Sequence, residues 1–444
     1  MGLSGGIQGL GRYTVIMTSD SNLPDRPQLR PIDVSRVTHE GEEYFLLKDL
    51  RRLNDQSLMV PVPLGLYLQG VDGTNTLNEI MKEALSKGAP SVPRETLDDL
   101  MTRLDDMMLL SNGKYVADIE ERLDEYRSAP FREPAMADLA YPSDPDDLRG
   151  YLDGFAFPYM NDEAMADDDL PADLDVELKA VISPHIDFER GGDSYAMIWE
   201  QVRDQLQDVE LFVVFGTDHN GDGPRLTLTN QDYQTPLGAL ETDTELVDEI
   251  ARILSTDKSV DDHAFADEFN HANEHSIELA TVWLHRAVGR SSAKMLPILC
   301  GSFGGIFEDG APNIDDHPQI SRVIRLLQEV ASERRTMFIA AADLAHVGPA
   351  FGDTELSPKD SERRRDVQAD DERLMEAIVN GSRRRFFDAI KNNGDRNKIC
   401  GFAPIYMTLW AADATVGTWS GYQQCQADED DTSFVSIAGA ALFG

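Results

Sequence analysis

Apolar residues follow two different patterns along this chain, and the change between them comes near residue 130. Beyond it, short apolar runs at Leu178 to Ser183, Glu210 to Phe215, Lys294 to Leu299 and Thr336 to Ala342 read as buried strands. Between these runs apolar residues recur at helical spacing over Ser194 to Leu206, Asp243 to Leu254, Ile277 to Val288 and Ser321 to Ser332. Strands alternating with helices predict a three-layer α/β fold, a mostly parallel sheet with helices on both faces. Arg225 to Thr229, Val416 to Tyr422 and Phe434 to Leu442 would add hairpin or edge strands.

Before residue 130 the pattern predicts a separate, small α+β module. Residues 1–25 show little periodicity and are expected to form a flexible arm. Within 26–129, Glu43 to Leu47 reads as a strand, and Leu77 to Leu85 and Arg94 to Met107 as helices. Ser111-Asn112-Gly113-Lys114 predicts a hairpin, because Asn-Gly supplies the positive φ angles of a tight turn. Helices followed by such a hairpin resemble a winged helix, and Val71 to Leu77 is similar to the start of PqqD-like peptide-binding domains. The second helix carries Glu95, Asp98, Asp99, Asp105 and Asp106, which argues against DNA as its partner. Ser128 to Asp144, rich in Pro and Ala, marks the boundary with a second domain over 130–444. Asn161 to Glu177 reads as an acidic, solvated loop.

Composition narrows the class of function. The 444 residues are 41% hydrophobic, enough for two or three cores, and no apolar run is long enough to cross a bilayer. The opening lacks a basic segment leading into an apolar block, and Gly6 stands where a myristoylation motif needs Ser or Thr, so the expected location is cytoplasmic. A net charge of −40 disfavours nucleic acid and anionic membranes, which would be repelled. The excess is rich in Asp, and Arg outnumbers Lys. Such a surface fits a high-salt environment, where ions screen the carboxylates; an ordinary acidic cytoplasmic protein is the alternative. Three cysteines are too few for a disulfide framework and suit a reducing compartment.

Eight of the nine histidines lie between His185 and His346. His185, His219 and the pair Asp343 and His346 each follow a predicted strand, and in an open α/β sheet such positions converge in one crevice. Gly191-Gly192 and Gly221 nearby are expected in turns that let backbone and ligand approach closely. Imidazoles suit iron, copper or zinc. Cys400 opens the apolar run Ile399 to Trp410, where a helix dipole would favour a thiolate. Asp343 and His346 are candidates for a carboxylate and a general base, although Asp343 equally suits capping its own turn. Glu274 and Ser276 suit a helix start on capping grounds alone, so His275 needs independent support. His263, His271, His285 and His317 read as surface residues outside the site, Cys300 as a core thiol, and Cys425 as part of a polar run. No phosphate-binding Gly-x-x-x-x-Gly-Lys-Ser/Thr loop or His-Glu-x-x-His helix is present, and Gly-x-Ser-x-Gly occurs only at Gly2 to Gly6, with no strand before it to make an elbow.

Taken in order, Pro134 to Ala137 with Tyr141 to Leu148, Ser183-Pro184-His185, Gly216 to His219, Glu274 to Glu278, Ala342 to Gly348, Ile399-Cys400-Gly401 and Ser433 to Ala441 carry a family likeness. From about Arg132 to Gly444 the chain resembles the MEMO family, also called AmmeMemoRadiSam system protein B, which is structurally related to class III extradiol dioxygenases. The resemblance implies a cofactor, iron(II) or copper(I), on His185, His219 and Cys400. It also implies catalytic roles for Asp343 and His346, with Asp187, Glu274 and His275 in the same pocket. Related dioxygenases carry a carboxylate where Cys400 stands, so the thiolate softens this site and separates it from ring cleavage. Ile186-Asp187-Phe188 departs from the family's Ala-Gly-Tyr, and Asp187 would add a charge or a hydrogen bond to an imidazole. The family's Gly-Ser-Trp/Phe is replaced by Asp138-Leu139-Ala140. Three readings stay open: an iron or copper oxidoreductase, a non-catalytic binder of a small molecule, peptide or modified residue, and a scaffold without metal. The system name implies radical-SAM and AMMECR1-like partners.

Overall fold

The computed structural model describes residues 23–156, 176–255, 264–303, 306–307 and 313–444, except 52, 54, 55, 222 and 290. Most of the expected arm, the greater part of the acidic loop and His263 lie outside the described residues. The chain divides into two compact units, with the break between Ser128 and Ala129.

In the smaller unit β1 (Ile32–His39), β2 (Glu42–Asp49) and β3 (Leu58–Pro61) form an antiparallel sheet in that order. Glu40 and Gly41, with φ of 52° and 85°, make the two-residue turn between β1 and β2, as the twist of a hairpin requires. Four helices follow: α1 (Gly65–Leu68), α2 (Leu77–Ser86), α3 (Arg94–Asp106) and α4 (Gly113–Ser128). Leu47, Val60, Tyr67, Ile80, Leu97 and Leu104 belong to their common core.

The hairpin expected at 111–114 does not form, and with it goes the wing of a winged helix. Asn112 instead caps α4: its side-chain oxygen accepts the Tyr115 N–H at 3.0 Å, and its amide donates to the buried Asp105 carboxylate. Asn serves a helix start as well as a turn, and a buried acceptor seven residues upstream decides between them.

The larger unit begins with α5 (Pro145–Ala156) and then alternates as the periodicity predicts. Its elements are β4 (Leu178–Ser183), α6 (Phe188–Val202), β5 (Leu211–Thr217), the short strands β6 (Leu226–Leu228), β7 (Tyr233–Thr235) and β8 (Gly238–Leu240), and α7 (Thr244–Leu254). Next come α8 (Asn270–Asn273), α9 (Ser276–Val288), β9 (Lys294–Cys300), α10 (Pro318–Glu333), β10 (Thr336–Ala341) and β11 (His346–Val347). The last are α11 (Glu362–Val379), α12 (Arg383–Asn392), α13 (Phe402–Ala412), β12 (Val416–Gln426) and β13 (Phe434–Phe443).

Parallel strands β4, β10, β5 and β9 lie side by side in that order at the centre of the main sheet. Antiparallel β6 borders β9, and β13 runs antiparallel to β4 and carries β11 and β12. Alternate residues face opposite layers. Val181, Val214 and Ile339 pack in the core of α5, α6 and α9, while Ile182, Phe215 and Ala340 pack in the core of α7, α10, α12 and α13. Burial on both faces explains why these strands read as unbroken apolar runs.

Helix α6 starts six residues earlier than its apolar spacing suggests. Gly191 and Gly192 are inside it rather than in a turn, and a Cβ on Gly192 would sit 2.5 Å from the Phe155 ring. The glycines let this helix pack closely, so they serve the core and not a ligand.

Candidate metal centre

The order β4-β10-β5 brings three carboxyl edges together, and each delivers a polar residue to one place. Pro184 and His185 follow β4, Asp343 to His346 follow β10, and Asp218 and His219 follow β5. Two further segments close the site. Glu274 and His275 precede α9, and Cys400 lies in the turn before α13, whose first residue is Phe402 rather than one at Cys400 itself.

Each imidazole has Nδ1 close to one oxygen, through a hydrogen bond in His185 and His219 and at ion-pair distance in His275. His185 Nδ1 is 2.9 Å from the Ala341 carbonyl, which can only accept, so this nitrogen carries a proton and Nε2 faces the pocket. His219 Nδ1 is 3.0 Å from Glu274 Oε1, and its backbone N–H donates to Oε2 at 2.9 Å. His275 Nδ1 lies 3.2 Å from the same Glu274 Oε1. One donor nitrogen from each of His185, His219 and His275 lies within 4.8 Å of the others. The rings of His219 and His275 are stacked, with centroids 4.7 Å apart and planes 17° from parallel. His275 thus joins the pocket on geometry that capping arguments could not supply.

Cys400 Sγ is 3.2 Å from His185 Nε2, and the His219 and His346 rings also hydrogen-bond the sulfur. Burial raises the thiol, but the His346 and His185 rings and the hydrogen bonds outweigh it and hold Cys400 well below the ordinary cysteine range. Burial likewise opposes charge on His185, yet Asp343 and the sulfur lift that ring to about 9. His275 goes the other way: burial holds it down to about 3 despite Glu274. Glu274 itself is buried, and the His219 and His275 rings keep its carboxyl well below the usual range against the penalty of burial.

Asp343 serves the neighbouring loop rather than its own turn. Its Oδ1 accepts the His185 and Ile186 N–H groups at 2.8 and 3.2 Å, and Oδ2 lies 3.7 Å from His185 Nε2. Burial raises its carboxyl even though His185 pulls the other way. His346 is half-buried against Phe351, with Nδ1 3.2 Å from the Leu344 carbonyl. Burial would lower its pKa, but Cys400 and Asp343 raise it.

Asp187 is the pocket candidate that stays apart. It caps α6, accepting the Arg190 N–H at 3.1 Å and pairing with the Arg190 guanidinium at 2.6 Å. Two histidines read as surface residues are buried: His271 bonds the Tyr233 hydroxyl at 2.7 Å and the Thr227 carbonyl at 3.0 Å, and His285 bonds Thr235 at 2.7 Å. Cys300 is a core thiol, raised by burial, and Cys425, within its polar run, is buried on β12.

Three supporting residues escaped the sequence reading. Ser436 on β13 accepts the Ala345 N–H at 2.9 Å on its hydroxyl and exchanges backbone bonds with Leu344 and Ala345. Arg132 donates to the His271 and Glu274 carbonyls at 2.7 and 2.8 Å and pairs with Glu278, so the segment entering this unit pins the loop of His275. Asn397 accepts the His346 N–H through its carbonyl at 2.8 Å. The partners are distant in sequence, and although Glu274 to Glu278, Ala342 to Gly348 and Ser433 to Ala441 are motif segments, nothing local shows which residues in them pair.

A buried carboxylate, imidazoles with one nitrogen fixed, and an acidic thiol together fit a borderline or soft transition ion. The floor of the site is buried, with His185, Asp343 and Glu274 side chains 1–3% exposed, whereas His219 and His275 are each 35% exposed. The site is open to solvent on the side of these two rings.

The sequence model of the family described as Memo-like protein matches residues 132–441. A MEMO1 family protein of Aquifex aeolicus is 22% identical over 428 residues, covering 94% of this chain and all of that relative. One from Archaeoglobus fulgidus is 24% identical over 283 residues, 64% of this chain and 87% of its own length. One from Methanopyrus kandleri is 29% identical over 223 residues, 49% of this chain and 70% of its own. The Aquifex alignment leaves so little of the chain out that it takes in most of the smaller unit, which extends the likeness beyond the larger one.

Proposed function

This chain belongs to the Memo-like protein family, and from that premise we propose that it is a metal-binding redox protein whose iron(II) or copper(I) is held by His185, His219 and Cys400. The observation that carries the proposal is the set of fixed Nδ1 atoms. With Nδ1 of His185 on a carbonyl and Nδ1 of His219 on a carboxylate, each ring offers Nε2 to the side where the Cys400 sulfur lies. When bound, the ion would supply redox and Lewis-acid chemistry at this crevice.

The remaining groups are suited to handling protons. His346 reaches the sulfur and is half-buried, so it can take or give a proton at the pocket wall. Asp343 keeps the His185 loop in place and faces the His185 ring with its other oxygen. Thiolate in place of a carboxylate makes the pocket oxygenase-like in layout but different in the ion it favours.

Metal content after anaerobic purification tests this reading, with Cys400→Ser and His219→Ala beside the wild type. Stoichiometric iron or copper in the wild type, reduced in both variants, is the expected result; no iron, copper or zinc above trace in the wild type overturns it. Oxygen consumption with catechols or thiols then tests turnover.

A second reading is a binder that presents a peptide or modified residue to a radical-SAM protein, with an AMMECR1-like partner, in the cytoplasm. It is supported by the Aquifex relative, whose alignment includes most of the smaller unit, since a second module in the same chain suits delivery of a ligand. Metal binding without oxygen consumption favours this second reading.

A further inference from the structure

We infer that His275 is a fourth protein donor to the ion held by His185, His219 and Cys400, and that Glu274 positions His219 and His275 together as a pair. The inference rests on the metal-binding reading above and adds a ligand and a positioning residue to it.

Geometry supports both parts. The three imidazoles offer donor nitrogens within 4.8 Å of one another, and a single ion with bonds of about 2.0–2.1 Å reaches such a set after a small contraction. Nδ1 of His219 and Nδ1 of His275 lie 3.0 and 3.2 Å from the same Glu274 oxygen, so Nε2 is the nitrogen turned away from the carboxylate on each stacked ring. Burying a carboxylate is costly unless its oxygens are satisfied, and here one side of Glu274 is given over to two imidazoles.

The local chain fixes this pair firmly. Glu274 also accepts the Ser276 N–H at 3.0 Å, which ties the carboxylate to the start of α9. Ser276 Oγ donates to the Thr217 carbonyl at 2.8 Å, joining that start to the end of β5 two residues before His219. Arg132 holds the Glu274 carbonyl from behind at 2.8 Å. His219 and His275 are therefore tied to one carboxylate beside His185, and the Cys400 sulfur, 3.2 Å from His185 Nε2, completes a set of three nitrogens and one sulfur. His346 lies on the sulfur side, hydrogen-bonded to Cys400, and stays outside the set as the proton-handling group.

The test uses the full chain and two metals alone. X-ray absorption of the zinc-loaded wild type is expected to count three imidazoles and one sulfur; two imidazoles and one sulfur overturn the inference while leaving the metal-binding reading intact. Anaerobic cobalt(II) titration, with a chelator competing, compares wild type with His275→Ala, His275→Gln, Glu274→Gln and Cys400→Ser. Glu274→Gln is expected to weaken binding by about 10–100-fold, and the His275 variants by at least as much. The His275 variants should shift the ligand-field bands and keep the thiolate charge-transfer band, whereas Cys400→Ser should lose that band yet still bind through three imidazoles. Unchanged affinity and bands in a folded His275 variant overturn the inference. A wild type that binds neither metal overturns the underlying reading as well.

Discussion

Asp371 on α11 has no exposed surface, and the Tyr422 hydroxyl donates to its carboxylate at 2.9 Å. Burial pushes its carboxyl up to about 7, against the pull of the Ser436 and Tyr422 hydroxyls. The folded value therefore lies above the unfolded one, near 3.9. Its contribution to stability is full below about pH 4 and is lost as pH rises towards 7, because the fold prefers the protonated acid. Asp371→Asn should gain on the wild type across that window by a few kcal/mol and level off above it. Urea unfolding at pH 4, 5, 7 and 8 checks this, and a difference independent of pH would sink it. At Asp343 two roles can be separated by size and charge. Asp343→Ala leaves the buried His185 and Ile186 N–H groups without an acceptor and should cost about 1–3 kcal/mol, while Asp343→Asn, which can still accept, should stay close to wild type in stability. Single residues were legible where a strand pointed at them: His185 and His219 stood out for that reason. His275 did not, because Glu-His-Ser at a helix start has an ordinary capping explanation, and its shared carboxylate is visible only in three dimensions.

At the level of elements, the sheet could be read from its apolar runs, with β4 and β10 placed to within a residue. The helix before β5 was clipped because Asp187 caps it and two glycines interrupt its pattern, although those glycines are what bring it close to α5 and β13. The hairpin at 111–114 failed for a similar reason, since Asn112 had a buried partner that the local sequence could not reveal. Asn112→Ala should therefore lower the stability of the smaller unit by about 1 kcal/mol, measured by denaturant unfolding of the full chain with a probe in that unit. No change would mean that α4 does not depend on its cap. Gly401 tests how α13 meets the site. A Cβ there would lie 2.6 Å from Ala342 Cβ and clash with the Asp343 carbonyl. Gly401→Ala should lower stability by about 1–3 kcal/mol and displace Cys400 from His185, so that the variant holds less metal than wild type after identical loading. Full metal retention would show that the turn adjusts without moving the sulfur.

The whole molecule carries a net charge of −40, and within the described residues no helix is long and apolar enough to cross a membrane. Mutual repulsion of that size destabilises a compact chain at low ionic strength, and the Debye length shrinks from about 10 Å at 0.1 M salt to about 3 Å at 1 M. The melting temperature should rise by several degrees over that range in potassium chloride; a flat profile would refute a surface suited to high salt. Composition exposed this property directly, because it does not depend on which residues touch. The order of the strands was beyond it. β13 follows every other strand of the sheet along the chain, yet it pairs with β4 in the interior and holds the loop of Asp343 and His346 through Ser436. A ribosome thus delivers His185 and His219 long before the strand that aligns their neighbours. Until β13 inserts, the nascent chain shows an open β4 edge on which another polypeptide can pair, so synthesis passes through an interval in which shelter from misassembly matters more than final stability.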